Sequence, residues 1–419
     1  MRLFRKTKVQ KLPADAPSRR ILFVSHEASR TGAPKIILNI LKHFRERCDI
    51  CCETVLHEGG PLTGAFQEYS HLLDCLNEPG KPREPSPRLS KQLRRIIERD
   101  GKNVPQLAIC NSMESRFISE ELANQGVPVI SLLHELPSSY KPEDFHSVFS
   151  SSRKVIFPVD DVYKAAAEVI RIPVDKTAVM SQGLLDSEFG QRIDRDTARK
   201  SICDQFGIPA ESFLVLGCGT LDLRKGIDHF VAVARRVADM NLRNETPIHF
   251  VWVGGGPTWT HSLYHYIQLD LKKTGADKFV HFVGEQDNTE PFFVASDAFF
   301  MSSRVDPFPC VIHEAMACQL PIVTFADSGG AQTAIQDGAG FVIPYGAYNQ
   351  AAELFRTLSQ QPHVAASARA RSFERVHSEY RFEDYGDELI ELSESIIGQS
   401  IGHPLTSPLA VPKLRVAAA

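Results

Sequence analysis

Ser302-Ser303-Arg304-Val305-Asp306-Pro307-Phe308-Pro309-Cys310-Val311-Ile312-His313-Glu314-Ala315-Met316-Ala317-Cys318 is the stretch on which the reading of this chain turns. The apolar run 298–301 predicts a strand just before it. Asp306 then stands in a loop, and a Pro/Phe turn opens a helix whose apolar side carries Val311, Ile312, Ala315 and Met316. The helix is expected to stop at Gln319-Leu320-Pro321. Asp306 precedes Glu314 by eight residues, so two carboxylates are expected near one helix N-terminus. Backbone N–H groups and the helix dipole attract anions at such a place.

The same strand-turn-helix rhythm extends in both directions. Downstream of 212, strands are expected at 213–216, 248–253, 279–283 and 322–325. A helix over 226–238 aligns Phe230, Val233, Ala234 and Val237 on one face. Upstream, strands are expected at 21–25, 106–110, 128–133 and 154–157, with helices over 33–44, 113–124 and 161–170. Strands separated by helices of 10–15 residues indicate parallel, doubly wound α/β sheets. Charge rises and the apolar pattern fades over 186–196, which marks a linker. The resulting division is a basic tail 1–19, an α/β domain 20–190, a second α/β domain 191–375, a helix 376–397 and a disordered tail 398–419. That helix carries Tyr385, Leu389, Leu392 and Ile396 at helical spacing, interrupted by Gly386; the last tail holds Pro404, Pro408 and Pro412.

Composition narrows the class. A chain of 419 residues exceeds one ordinary core. A net charge of −4 gives no general attraction to nucleic acid. No apolar run approaches the roughly 20 residues of a membrane span, and the N-terminus lacks a signal-peptide core, so a cytoplasmic setting is expected. Cys48, Cys51 and Cys52 cluster without a second ligand pair, so the nine cysteines read as reduced thiols rather than a metal site. Arg2, Arg5, Lys6, Lys8, Lys11 and Arg19 face one acid, Asp15, in a tail that also holds Leu3 and Phe4. Such a tail suits the anionic inner face of a membrane, and it equally suits water.

Four constellations carry chemistry. Gly217-Cys218-Gly219-Thr220-Leu221-Asp222-Leu223-Arg224-Lys225-Gly226 ends a strand and places Arg224 and Lys225 before a helix, a setting that suits a diphosphate or a plain solvated loop. Gly32 and Ala33 join the first strand to the first helix and allow close backbone approach. His134 follows a buried strand at a sheet's carboxyl edge, where it can bond a hydroxyl or serve as a structural histidine. Gly329 and Gly330 make a strand-to-helix turn whose N–H groups can hold an oxygen. Other patterns fail. His26, His134 and His313 each precede a Glu, but Arg30, Ser138 and Ala317 stand where a zinc protease needs its second His. Asp222 and Trp259 occupy the third-glycine positions of two near-matches to a dinucleotide fingerprint.

Asp306-x7-Glu314, with Arg224-Lys225 at a matching place in the same domain, resembles the signature of family 4 retaining glycosyltransferases over nearly all of 20–397, most specifically 213–345. The resemblance implies a GT-B architecture: two facing Rossmann-like domains, an interdomain cleft, and a final helix returning to the first domain. It implies a nucleoside-diphosphate sugar as donor, a glycan or lipid-linked acceptor, surface polysaccharide or glycolipid assembly, and no cofactor or metal. Arg224 and Lys225 look like the diphosphate clamp, with Thr220 at the position where many members carry an Arg. Glu314 looks like the acid that holds the nucleotide ribose, and Asp306, with Phe308 and Pro309 beside it, like the acid near the transferred sugar. Gly32 and Ala33 resemble the loop near the donor phosphates, Gly329 and Gly330 the turn near the sugar, and His134 the histidine near the reacting centre. Thr333 replaces a commoner Glu. Two alternatives stay open: a non-catalytic sugar-nucleotide-binding scaffold, and a nucleotide-sugar epimerase or hydrolase of the same fold.

Overall fold

Runs of apolar residues bounded by turns become strands that are buried along most of their length, as parallel strands between helices must be. A computed structural model describes residues 19–77, 87–98, 104–241, 247–255 and 261–402. The basic segment 1–18, the turn at Gly256-Pro257, Trp259 and the prolines beyond 402 lie outside the described residues. The chain divides into two units, 1–185 with 382–419, and 186–381.

The first unit is built on β1 (Arg20–Ser25), β2 (Cys51–Glu58), β3 (His71–Asn77), β4 (Leu107–Asn111), β5 (Val129–Leu132), β6 (Lys154–Phe157) and β7 (Thr177–Val179). They form a parallel sheet in the order β3-β2-β1-β4-β5-β6-β7. The sequence pattern does not reveal β2, β3 and β7. Glu53 and His57 interrupt the apolar run of β2, yet both are buried. Arg20 resolves the burial of Glu53: its Nη2 lies 2.8 Å from Oε2, and the same guanidinium donates to the carbonyl of Ile96 at 3.2 Å. A charge removed from water is tolerated when it is paired and hydrogen-bonded in this way.

The second unit holds β8 (Phe213–Cys218), β9 (Ile248–Val253), β10 (Val280–Gly284), β11 (Ala298–Met301), β12 (Ile322–Phe325) and β13 (Phe341–Ile343), all parallel in the order β10-β9-β8-β11-β12-β13. Phe230, from helix Ile227–Asn241, packs edge-on against Trp252 at 5.1 Å and Phe250 at 5.3 Å in the core of this sheet. In each sheet the strand order reverses once, between β1 and β4 and between β8 and β11. Loops leaving the carboxyl ends of such strands diverge and open a crevice. The α/β class and the two Rossmann-like domains expected from sequence are present.

Three expectations change. The charged stretch 186–196 is not a free linker. Arg192 pairs with Asp186 at 2.7 Å and Glu188 at 3.2 Å, Gly190 N donates to buried Glu290 at 2.7 Å, and Asp194 caps helix Arg195–Phe206 by accepting from Thr197 N at 3.0 Å. Asp194 therefore serves as a helix cap. The helix expected over 376–397 is the end of one helix, Ala366–Ser378, and a second, Phe382–Ile397, broken where Tyr380 turns inward against Phe308 and His313. Residues 398–402 are not disordered. Ile401 is fully buried, its carbonyl accepts from Asp49 N at 3.0 Å, and Glu394 Oε1 accepts from the amides of Ile401 and Gly402 at 2.7 and 3.0 Å.

Helix Phe382–Ile397 belongs to the first unit and lies on helix Gly32–Arg47, with His43 Nε2 2.7 Å from Asp387 Oδ1. Gly386 permits this approach, since a Cβ there would sit 2.5 Å from His43 Cδ2. Gly386→Ala gains about 1 kcal/mol of helix propensity, but overpacking costs about 1–3 kcal/mol. The variant should therefore unfold at lower urea concentration than the native protein. A higher midpoint would show that His43 yields without cost.

Candidate active site

Three loops meet at the carboxyl edge of the second sheet. The loop after β8 is shaped by Asp222, whose carboxylate accepts from Lys225 N at 2.8 Å and from the Thr220 hydroxyl at 2.9 Å. Gly226 follows with φ +68°, and a Cβ there would lie 1.9 Å from Ser302 O. This loop is consequently laced to the one after β11: Ser302 Oγ donates to Lys225 O at 3.2 Å, and Arg304 N to Arg224 O at 2.9 Å. The loop after β12 joins through Asp306 N, which donates to Ser328 O at 2.8 Å, and Gly330 N, which donates to Asp306 O at 3.1 Å. Gly329 makes the join with φ +108°, where a Cβ would lie 2.0 Å from Asp306 O.

The backbone lacing brings Lys225, Arg224 and Asp306 together. Asp306 is 5% exposed and forms an ion pair with Lys225 Nζ. Arg224 Nη1 stands 3.7 Å from the other carboxylate oxygen and donates to Val305 O at 3.3 Å. The Lys225 side chain is 16% exposed and that of Arg224 49%, so Arg224 is the cation open to an incoming anion. Both cations thus stand against the Asp306 carboxylate, with Arg224 on the open side. Lys225 and Asp306 also line a small cavity with Cys218, Trp252, Met301 and Val311. Sequence reasoning missed Asp222, Ser302 and Arg304 as the residues that shape this loop pair. An Asp three residues before a basic residue in a turn was the available signal, since Asp side chains cap nearby backbone N–H groups.

Other candidates fall elsewhere. Phe308 is buried, its ring centroid 4.8 Å from that of His313 and 5.9 Å from that of Tyr380, so it anchors the loop in the core. Pro309 is the N-cap residue of helix Cys310–Ala317. Glu314 is the fifth residue of that helix, one turn beyond its N-terminus, and half-buried. The Thr220 side chain is taken up by Asp222, and Thr333 O accepts from Tyr380 at 3.5 Å. His313 is fully buried, and burial pushes its pKa down to about 3.

In the first unit, Gly32 and Ala33 open helix Gly32–Arg47 after β1, and His134 follows β5. Asn111, the last residue of β4, joins them. Its amide nitrogen donates to Ala33 O at 2.8 Å, and its oxygen lies 2.8 Å from His134 Nε2. Glu135 pins the backbone there, accepting from the amides of Met113 and His134 at 3.0 Å each and from Ser112 Oγ. Burial pushes the His134 pKa down to about 4, with His26 adding repulsion. Asn111 and Glu135 escaped sequence reading because an Asn ending a strand and a Glu after a His have no distinctive spacing.

Residues 212–361 match the family described as Glycosyl transferases group 1. D-inositol 3-phosphate glycosyltransferase 1 of Catenulispora acidiphila is 29% identical over 236 residues, 52% of this chain and 52% of that protein. The lipopolysaccharide core biosynthesis glycosyltransferase LpsE of Rhizobium meliloti is 32% identical over 170 residues, 40% of this chain and 45% of that protein. The chain thus spans about half the length of these curated relatives. The crystal structure of Anabaena Alr3699/HepE in complex with UDP and glucose superposes with a TM-score of 0.76 at 18% identity, covering 90% of this chain and 99% of that one. The last likeness is one of fold. The family match and the two curated relatives are thus likenesses over part of the chain.

Two outcomes follow from this geometry. Gly329→Ala forces a Cβ into Asp306 O at a left-handed backbone position, so thermal or urea unfolding should show a loss of at least about 2 kcal/mol. An unchanged midpoint would mean the loops are not laced as described. His313 is held neutral in the fold, whereas in the unfolded chain it takes up a proton near the ordinary histidine value of 6.5. Its contribution is therefore complete above that pH and is lost as pH falls toward about 3. By pH 5 this amounts to about 2 kcal/mol, and His313→Leu should flatten this part of the acid limb of a stability–pH curve. An acid limb unchanged by the substitution would contradict the assignment.

Proposed function

We propose that the protein is a retaining, family 4 type glycosyltransferase that moves a sugar from a nucleoside-diphosphate sugar to a glycan or lipid-linked acceptor. The observation that carries the reading is the Arg224–Lys225–Asp306 group at the point where the strand order of the second sheet reverses. The UDP and glucose bound to the Anabaena protein support a diphosphate-sugar donor, and the name of the Rhizobium relative, a lipopolysaccharide core biosynthesis glycosyltransferase, supports surface-glycolipid chemistry; that of the Catenulispora relative names inositol 3-phosphate instead.

In this reading Arg224 receives the diphosphate first, because it is the more open cation. Lys225 follows, exchanging part of its contact with Asp306 for a phosphate oxygen. The anomeric C–O bond to the diphosphate breaks, and a bond to the acceptor oxygen forms on the same face. The proton of the acceptor hydroxyl ends on the departing diphosphate. Arg224 and Lys225 stabilise the charge that grows on that leaving group, and Asp306 stands beside the positive charge that grows on the sugar. Two side-chain cations supply the charge a metal would otherwise bring. Glu314 would hold the ribose. Among the described residues no helix is long and apolar enough to cross a membrane. The basic segment 1–19 would meet anionic lipid, at roughly 1 kcal/mol per Lys or Arg near the surface.

A binding-only scaffold is the second reading, favoured by Thr220 and Thr333 where many relatives in the family carry charge. A panel of UDP-, GDP-, ADP- and CMP-sugars separates the two. One diphosphate sugar should raise the melting temperature of the native protein. Lys225→Ala should abolish that rise. With an acceptor added, turnover should fall by about 10²–10³ in Asp306→Asn. A thermal shift without acceptor-dependent product would leave the scaffold reading standing, and no shift with any sugar would overturn the transferase.

A further inference from the structure

We infer that Asn111 is a positioning residue that locks His134 in the neutral tautomer with its hydrogen on Nε2, so that Nδ1 offers a bare lone pair to a substrate hydroxyl. The assignment runs along one chain of hydrogen bonds. Ala33 O can only accept, so the Asn111 atom 2.8 Å from it is the NH2 group. The other amide atom of Asn111 is then oxygen, which can only accept. His134 Nε2, 2.8 Å from that oxygen, must carry the hydrogen. A neutral imidazole has one N–H, so Nδ1 has none. The ring stays neutral because burial and the neighbouring His26 both disfavour a second proton.

The surroundings hold this arrangement in place. Asn111 is fully buried, and in the sheet it is paired in register with Ser25 of β1 and Leu132 of β5. Its side chain therefore has a fixed origin at the reversal point of the first sheet. The charged and titratable groups around the ring are His26 from the loop after β1 and Glu135 from its own loop. Glu135 is committed to the Ser112 hydroxyl and to the amides of Met113 and His134. Rotation of the Asn111 amide would set two oxygens together at Ala33, so the tautomer and the Gly32-Ala33 turn are coupled through one side chain. An imidazole held this way accepts a hydrogen bond and does not act as a cation. A sugar or acceptor hydroxyl fits it, and a phosphate oxygen does not. The choice of hydroxyl rests on the transferase reading; the tautomer does not.

The test is nitrogen NMR on full-length protein labelled with ¹⁵N-histidine, at pH 7, with the His134 signals identified by their loss in His134→Gln. Nε2 should resonate as a protonated, pyrrole-like nitrogen and Nδ1 as a bare, pyridine-like one. Hydrogen on Nδ1, or on both nitrogens, in the native protein would overturn the inference. Asn111→Ser should give mixed tautomers. Asn111→Asp, whose carboxylate cannot donate to Ala33 O, should move protonation of His134 to higher pH. A native tautomer and titration in both variants would overturn the lock. Where the sugar panel identifies a donor, Asn111→Ser should lower kcat at least tenfold and keep the Lys225-dependent thermal shift. Native kcat would overturn the positioning role. A correct tautomer in a protein that transfers no sugar would uphold the lock and sink the transferase reading instead.

Discussion

A carboxylate taken almost out of water must have a cation beside it, and the second unit is arranged around that requirement at Asp306. Lys225 answers it from the loop after β8, with Arg224 further out. Neither cation could be there if the two loops were not drawn together by Ser302, Arg304 and the glycine at 226. The pair also sets the order in which an anion can be received. In the proposed reading the exposed guanidinium would meet it, and the ammonium would be released to it only as the Asp306 contact loosens. An ion pair of this kind adds little net stability, because desolvation offsets its attraction. Its value lies in holding three loops at one geometry before a ligand arrives.

The first unit solves a different problem with neutral groups. The imidazole of His134 sits where burial keeps it uncharged, so direction has to come from hydrogen bonds instead of charge. One buried amide, Asn111, supplies that direction and ties the ring to the start of helix Gly32–Arg47. The two units thus share a topology and the placing of residues at a strand-order reversal. They differ in whether charge or tautomer carries the information.

The sequence made much of this legible, and the reasons it fell short are local. The strand-turn-helix rhythm and the Asp306–Glu314 spacing are properties of neighbouring residues, so the class of fold and the acid loop could be read directly. Strand β2 could not, because Glu53 looks solvated until Arg20, 33 residues earlier, is known to pair with it. The family resemblance set Phe308 and its backbone beside Asp306; that its ring packs under His313 and Tyr380 could not be read from spacing. Gly386 looked like a weakness in a helix, and its cause is a histidine more than three hundred residues away in the chain. Thr220 read as a gap in the cation set, while its hydroxyl in fact helps to shape the turn that presents Lys225. Each miss is a contact between residues distant in sequence, or a side-chain direction that spacing does not encode.

Helix Phe382–Ile397 completes the first unit although the whole of 186–381 is made before it. On the ribosome, helix Gly32–Arg47 therefore emerges early and waits with His43 lacking the partner that Asp387 will bring. The second unit, continuous in the chain, can close on itself during that interval. Assembly is thus ordered in time, with the unit begun first finished last, and the surface around His43 is the one a chaperone would find uncovered until synthesis reaches the final helix.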